Sequence, residues 1–227
     1  MSRRPGKAVQ GIVFDLDGTL VDTMPLVVRA VAYALEPFMD PPPPAEIYRR
    51  VAGPVHRCLG ALLGGEHHVP EASRRLYEYA QWHRVEVVLF PGAVAVLDEL
   101  RERGFPVALW TGRDEASATV ILQRHDLRRC FAACIFGDTL ESHKPDPEGL
   151  HRLAEAIGVP TDGLLMVGDA EVDVLGAAGA GARALLIHDE RVVTAEVLTL
   201  KPQLAATPAE AYRQLRELSR PAVGRIN

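Results

Sequence analysis

The fold is decided by the stretch Val13-Phe14-Asp15-Leu16-Asp17-Gly18-Thr19-Leu20, in which an apolar run ends in two acids, a glycine and a hydroxyl. Side chains two positions apart lie on the same side of an extended backbone, so we expect Asp15 and Asp17 to project together. Ligands of open parallel sheets bind beyond the carboxyl ends of the strands, and both carboxylates are therefore predicted to face a site. Taken alone, the stretch also fits an Asp-Gly turn that closes a strand.

Apolar runs that alternate with helical patterns predict the rest of a parallel sheet. The predicted strands are Gly11–Phe14, Val107–Trp110, Cys134–Phe136, Leu164–Val167 and Ala184–Ile187. The predicted helices are Ala93–Arg103, Glu115–His125, Pro147–Ile157, Val172–Ala180 and a last one that starts at Thr207. The expected fold class is α/β, with a Rossmann-like parallel-sheet core.

The segment between the first two predicted strands is too long for one crossover helix, and its pattern is helical throughout. We predict an inserted α-helical cap at residues 22–88, which leaves residues 1–21 and 89–227 for the core. Pro41–Pro44 is expected to be a stiff extended linker because proline cannot continue a helix, and Gly53-Pro54 is expected to interrupt a second helical stretch.

Composition argues against several classes of protein. The 227 residues are 48% hydrophobic and 24% charged, which is typical of a globular chain able to bury a core. The three cysteines form no CxxC pair, which argues against a secreted disulfide scaffold and favours a cytoplasmic location. No run approaches the roughly 18 apolar residues of a membrane span. A net charge of −5 disfavours a nucleic-acid partner.

Polar residues also follow the other predicted strands. The second strand leads to Thr111, a hydroxyl before a helix whose amino end can hold an anion. The third is followed by Lys144 in a Lys-Pro-Asp-Pro run, for which a solvated turn lysine is the alternative. The fourth is followed by Asp169 and Asp173. The alternative explanation for these two acids is structural, because a helix dipole favours acidic residues at the amino end of a helix. Together with Asp15 and Asp17, these residues predict a site at one edge of the sheet.

A known superfamily shows the same order of motifs. The set Asp15-x-Asp17-Gly18-Thr19, Thr111, Lys144 and Gly168-Asp169-x-x-x-Asp173 resembles the haloacid dehalogenase superfamily of aspartate-nucleophile phosphatases, over the chain from about Ala8 to Leu186. It is similar in detail to the phosphoglycolate-phosphatase-like branch, which has a helical cap. The branch features are a cap glycine matching Gly53, a Pro-Gly matching Pro91-Gly92 and a Lys-Pro-x-Pro run matching Lys144 to Pro147.

This resemblance implies a phosphatase that acts on a small phosphorylated metabolite, with phosphoglycolate as the default substrate. Asp15 is the expected nucleophile, and it divides the reaction into formation and hydrolysis of an aspartyl-phosphate. Asp17 is the expected general acid, which then serves as the base for the attacking water. Lys144 and Thr111 are expected to stabilise charge on the transferring oxygens.

The expected cofactor is Mg²⁺, because a carboxylate nucleophile is repelled by a phosphoryl dianion unless positive charge is present. Asp15 and Asp169 are the expected side-chain ligands. The resemblance adds the backbone carbonyl of Asp17 and places Asp173 either on the metal or one step behind it.

Further substrate contacts are expected around this site and in the cap. The candidates are Gly18, Thr19, Gly112, Arg113, Gly53, His56 and Arg57. Arg57 and His56 are candidates for binding an anionic group, because arginine binds carboxylate or phosphate as a fork. Arg113 departs from the asparagine common there in this branch, and it either forms a salt bridge or meets the substrate.

Other functions share parts of this pattern. A β-phosphoglucomutase-like sugar phosphomutase keeps both aspartates, and sequence separates it poorly from a phosphatase. A receiver-type phosphorylation switch uses similar residues, but the acid pair after the fourth strand and the large cap argue against it. A non-catalytic binding module would be expected to lose some of Asp15, Asp17, Lys144 and Asp169. The expected assembly is a monomer or a homodimer.

Overall fold

The computed structural model of the protein describes residues 8–51, 55–83, 86–188 and 192–219, without the side chains of residues 49 and 55–57. The chain divides into two compact units. One unit runs to Val21 and resumes at Leu89, and the other is Asp22–Val88.

A parallel sheet lies at the centre of the first unit. Its strands are β1 (Gly11–Phe14), β4 (Val107–Trp110), β5 (Ala133–Ile135), β6 (Leu164–Gly168), β7 (Arg183–Ile187) and β8 (Gln203–Ala205). They pair in the order β5-β4-β1-β6-β7-β8, and every pairing is parallel. The two remaining strands, β2 (Val21–Asp22) and β3 (Val88–Leu89), form a separate two-stranded sheet. The predicted α/β class with a parallel-sheet core is confirmed.

Both faces of the central strands are covered, which explains their unbroken apolar sequence. Every residue of β1 and β4 is buried. The helices of this unit are α5 (Ala93–Glu102), α6 (Glu115–Arg124), α7 (Glu148–Ile157), α8 (Glu171–Ala180), α9 (Ala195–Thr199) and α10 (Pro208–Arg216). All five helices predicted for the core are present, with ends shifted by one residue, and α9 is the helix of this unit that was not predicted.

The last helix begins as its sequence predicts. The side chain of Thr207 accepts a hydrogen bond from the backbone of Glu210 and caps α10. Tyr212 and Leu215, each 1% exposed, pack into this unit, where α10 contacts α5 and β8. The Tyr212 hydroxyl donates to the Thr19 carbonyl at 2.6 Å. The last helix is therefore tied to the loop that follows β1.

The second unit is helical in its described part. Its helices are α1 (Met24–Leu35), α2 (Pro44–Arg50), α3 (Val55–Leu63) and α4 (Val69–Trp82). Their buried apolar side chains form one cluster, and Val31, Leu35, Ile47 and Leu59 in it are fully buried.

The expectation of an extended linker over Pro41–Pro44 is wrong at its end. Pro44 is the first residue of α2, and Pro43 is its N-cap. A proline is tolerated in the first helical turn because its missing N–H would have no partner there in any case. Gly53-Pro54, predicted to interrupt the helical pattern, lies outside the described residues.

Among the residues that the structure describes, no helix has both the length and the apolar character needed to cross a bilayer.

Tyr212→Phe is expected to lower the free energy of unfolding by about 1–3 kcal/mol, because the Thr19 carbonyl would stay buried without its partner. Urea denaturation measures the change. Tyr77→Phe is the matched control, since Tyr77 is 61% exposed and loses little. Equal stability of the two variants would contradict a structural role for the Tyr212 hydroxyl.

Candidate active site

The carboxyl ends of three neighbouring strands bring the site together. Because β1 lies between β4 and β6, the residues that follow these strands meet at one edge of the sheet. Asp15 continues the β1 ladder, since its backbone N–H donates to the Val167 carbonyl at 2.8 Å. Thr111 does the same after β4, donating to the Ile135 carbonyl at 3.0 Å.

A buried lysine joins two of the aspartates. The Lys144 Nζ lies 2.7 Å from an oxygen of Asp15 and 2.7 Å from an oxygen of Asp173. The three side chains are 9%, 11% and 2% exposed respectively. Burial opposes a charge on Lys144, but the attraction of both carboxylates outweighs it and raises the pKa of the ammonium above its usual value. Lys144 is therefore a fixed positive charge beside Asp15.

Asp173 is held in place from its own helix. One oxygen accepts a hydrogen bond from the Ala170 N–H at 3.1 Å, at the start of α8, and the other binds Lys144. A Cβ on Gly168 would lie 2.1 Å from this carboxylate, so the end of β6 has no room for a side chain. The glycine before Asp169 thus lets Asp173 reach Lys144.

Three carboxylates form a candidate metal site. Oxygens of Asp15, Asp169 and Asp173 lie within 4.8 Å of one another. Gly18 has a φ of +74°, and a Cβ there would lie 2.1 Å from an oxygen of Asp169. The loop after β1 can therefore approach Asp169 only because residue 18 is glycine.

The charges in this cluster fit a divalent cation. Burial raises the pKa of the Asp15 carboxyl well above its usual value, Lys144 opposes this, and Asp173 and Asp169 raise the pKa further. Added positive charge would offset these effects. Carboxylate oxygens are the ligands that Mg²⁺ prefers, so the donor set fits this ion.

Asp17 lies apart from the three clustered carboxylates and forms an ion pair with Arg113. The Arg113 Nε and Nη2 atoms donate to the two oxygens of Asp17 at 3.0 and 2.5 Å. The backbone of Arg113 is fixed as well, because its N–H donates to the Thr111 hydroxyl at 3.1 Å and its carbonyl accepts from Gly137 at 2.8 Å. Arg113 thus forms the salt bridge that was one of its two expected roles.

The structure places the other predicted residues as follows. Thr19 is fully buried, and its hydroxyl has no hydrogen-bond partner among the described residues. Gly112 lies in the loop after β4, where its carbonyl would be 2.2 Å from a Cβ on Gly137. Gly53 lies outside the described residues, as do the side chains of His56 and Arg57. The roles of all these residues in binding stay predictions.

Trp110, the last residue of β4, was not predicted to belong to the site. Its ring lies under Lys144, with the Nζ 5.0 Å from the ring centroid, a distance suited to a cation–π contact. Cβ atoms on Gly149 of α7 and Gly176 of α8 would lie 2.4 and 2.8 Å from the indole. Glycines inside two helices were the available signal that a large side chain packs against both.

Comparisons with known proteins show what the chain is similar to. A family model described as haloacid dehalogenase-like hydrolase matches residues 9–181. Phosphoglycolate phosphatase 1 of Pseudomonas aeruginosa is 37% identical over 182 residues, which are 76% of this chain and 66% of the Pseudomonas protein. A phosphoglycolate phosphatase of Neisseria gonorrhoeae is 32% identical over 221 residues, 92% of this chain and 94% of its own. A solved haloacid dehalogenase-like hydrolase from Streptococcus pneumoniae is 25% identical, with a TM-score of 0.75 over 91% of this chain and 98% of that one.

Gly18→Ala is expected to weaken Mg²⁺ binding about tenfold or more, because the new Cβ would displace Asp169. Isothermal calorimetry on the folded variant measures the affinity. Gly104→Ala is the matched control: Gly104 also has a positive φ, +84°, but a Cβ there meets nothing within 4 Å. Equal loss of affinity in both variants would show that backbone strain, not the contact with Asp169, is responsible.

Proposed function

Because the chain belongs to the haloacid dehalogenase-like hydrolase family, we propose that it is a Mg²⁺-dependent phosphatase that hydrolyses a small phosphomonoester, with phosphoglycolate as the first candidate substrate. The earlier resemblance to this superfamily is confirmed, and the chain is a phosphoric monoester hydrolase. The observation that carries the detailed proposal is the joint placement of Asp15, Lys144, Asp169 and Asp173 at one edge of the sheet. Relatives named phosphoglycolate phosphatase support the choice of substrate.

Asp15 is the proposed nucleophile. One of its carboxylate oxygens attacks phosphorus, the bond between phosphorus and the ester oxygen breaks, and the phosphoryl group is left on Asp15. The Asp17 carboxyl gives its proton to the departing alkoxide, which leaves as the alcohol. A water then attacks the phosphorus of the aspartyl-phosphate and gives a proton to Asp17. The bond between phosphorus and the Asp15 oxygen breaks, so that inorganic phosphate leaves, Asp15 is again a carboxylate and Asp17 is again protonated.

Lys144 supplies fixed positive charge to this reaction. Its ammonium contacts the nucleophile directly, so it lowers the repulsion between Asp15 and an incoming phosphate dianion. Asp173 and Trp110 position Lys144 through a hydrogen bond and a ring contact. The Thr111 hydroxyl, buried beside the loop after β4, is proposed to stabilise the transferring oxygens.

Mg²⁺ would be held by Asp15, Asp169 and the backbone carbonyl of Asp17, with Asp173 either on the ion or directly behind it. When bound, the ion supplies charge neutralisation for the phosphoryl oxygens and the clustered carboxylates. Asp15 would then have both the Lys144 ammonium and the metal ion beside it, which would lower its repulsion of an anionic substrate.

Asp15→Asn is expected to reduce phosphate release from phosphoglycolate by several orders of magnitude, because an amide cannot form the aspartyl-phosphate. A colorimetric phosphate assay measures the rate with Mg²⁺ present, and circular dichroism checks the fold. Asp40→Asn, an exposed acid in the helical unit with the same change of charge, is the control. Turnover by Asp15→Asn at the wild-type rate would rule out the mechanism.

Asp17→Asn is expected to slow turnover by about 10²–10⁴-fold, the usual contribution of a general acid. In the first step, measured as release of the alcohol or phenol in a single turnover, the loss should be smaller for an aryl phosphate, whose leaving group needs less protonation. An equal loss for both esters in that step would argue that Asp17 does not protonate the leaving group.

Chelation by EDTA is expected to abolish phosphate release, and added Mg²⁺ to restore it, if the carboxylate cluster holds the ion. The panel should contain phosphoglycolate, pyrophosphate, nucleoside monophosphates and sugar phosphates. Undiminished release in EDTA would contradict the metal requirement. Isomer conversion without net phosphate release would favour the sugar phosphomutase instead.

A further inference from the structure

The site has an inner and an outer layer of charge. The inner layer is Asp15, Lys144 and Asp173, all nearly inaccessible to solvent. The outer layer is the ion pair of Arg113 and Asp17, whose side chains are 22% and 33% exposed. All five residues belong to the same compact unit. When the phosphoryl group of a substrate lies against Asp15, the remaining part of the substrate therefore lies near the Arg113–Asp17 pair.

The outer pair conflicts with the proposed role of Asp17. Both oxygens of Asp17 are held by the Arg113 guanidinium, in the two-bond geometry that arginine forms with carboxylates. A carboxylate held on both oxygens cannot turn toward the ester oxygen of a substrate. Catalysis therefore needs another partner for Arg113 before Asp17 can act.

The outer pair is also suited to exchange. The pair is only partly buried, so an incoming anion can reach Arg113 and compete with Asp17 for it. Burial opposes the charge of Arg113, whereas Asp17 and, more weakly, Asp114 and Asp15 raise its pKa. Arg113 contacts Asp17, which follows the nucleophile Asp15 by two positions. A ligand that reaches from Asp15 to Arg113 therefore need only be short.

We propose that Arg113 selects substrates that carry a carboxylate close to the phosphoester, and that this carboxylate replaces Asp17 on the guanidinium and frees Asp17 for the leaving group. The inference rests on the phosphatase function proposed above. It assigns Arg113 a double role, as a residue that binds the substrate carboxylate and as one that holds Asp17 until the substrate arrives.

The exchange explains why a carboxylate is favoured over a neutral group. A substrate carboxylate forms the same two hydrogen bonds with Arg113 that Asp17 gives up, so the guanidinium never stays unpaired. A neutral substituent offers no such replacement, and Asp17 must then leave Arg113 at a net cost. Substrates with and without the carboxylate should therefore differ both in affinity and in the rate of the step that needs Asp17.

Binding is tested with two ligands that cannot be hydrolysed. In 3-phosphonopropionate a methylene stands where phosphoglycolate has its ester oxygen, and propylphosphonate has a methyl in place of the carboxylate. Calorimetry in the presence of Mg²⁺ should show that the wild type binds 3-phosphonopropionate about tenfold or more tightly than propylphosphonate, the size expected for a charge-assisted hydrogen-bonded pair. Arg113→Ala should bind both ligands equally.

Two control variants distinguish the two-bond geometry of the guanidinium from its positive charge. Arg113→Lys keeps the positive charge but cannot form two parallel hydrogen bonds with a carboxylate, so it should retain only part of the preference for 3-phosphonopropionate. If Arg113→Ala does not fold, Arg113→Lys provides the test instead. Arg124→Ala removes an exposed arginine from the following helix and should keep the full preference. A wild-type preference that survives in Arg113→Ala would overturn the proposal.

Turnover gives a second, separable result. The ratio of kcat/KM for phosphoglycolate to that for ethyl phosphate should fall about tenfold or more in Arg113→Ala, because phosphoglycolate loses the partner of its carboxylate and Asp17 is no longer held away from the leaving group of ethyl phosphate. An unchanged ratio would overturn the role of Arg113 and leave the phosphatase intact. Failure of the wild type to hydrolyse any phosphomonoester would overturn the phosphatase itself, whatever the binding result.

Discussion

The site depends on one ammonium group shared by two buried carboxylates. Lys144 binds Asp15, which follows β1, and Asp173, which lies in α8, and so it links two elements that are far apart in sequence. Without this charge the two acids would repel each other in a region with little water to screen them. Trp110 and the glycines that pack against it keep the lysine where both acids can reach it.

The sheet and the clustered aspartates could be predicted because each rests on a local pattern. A buried parallel strand is an unbroken apolar run, and its carboxyl end is where polar residues gather. Strand β8 and helix α9 were missed because they are three and five residues long, and β8 is largely exposed. Segments of three to five residues are too short to show the hydrophobic periodicity by which a helix or a strand is recognised.

Side-chain partners are the part that sequence leaves open. Whether Arg113 meets Asp17 or a substrate depends on how two loops from different strands approach each other, and no spacing within either loop encodes that. The buried position of the Thr19 hydroxyl and the place of Trp110 beneath Lys144 depend likewise on long-range packing. For Trp110, Gly149 and Gly176 gave the available hint, since each stands where a side chain would strike the indole.

The hydrogen bond from Tyr212 to the Thr19 carbonyl has a consequence for synthesis. A ribosome makes Tyr212 193 positions after Thr19 of the nucleophile loop. Domains tend to fold as units once their chain has emerged. The loop beside Asp15 therefore receives its anchor only after this long intervening segment has been made, and a product that stops before Tyr212 would lack that support for its nucleophile.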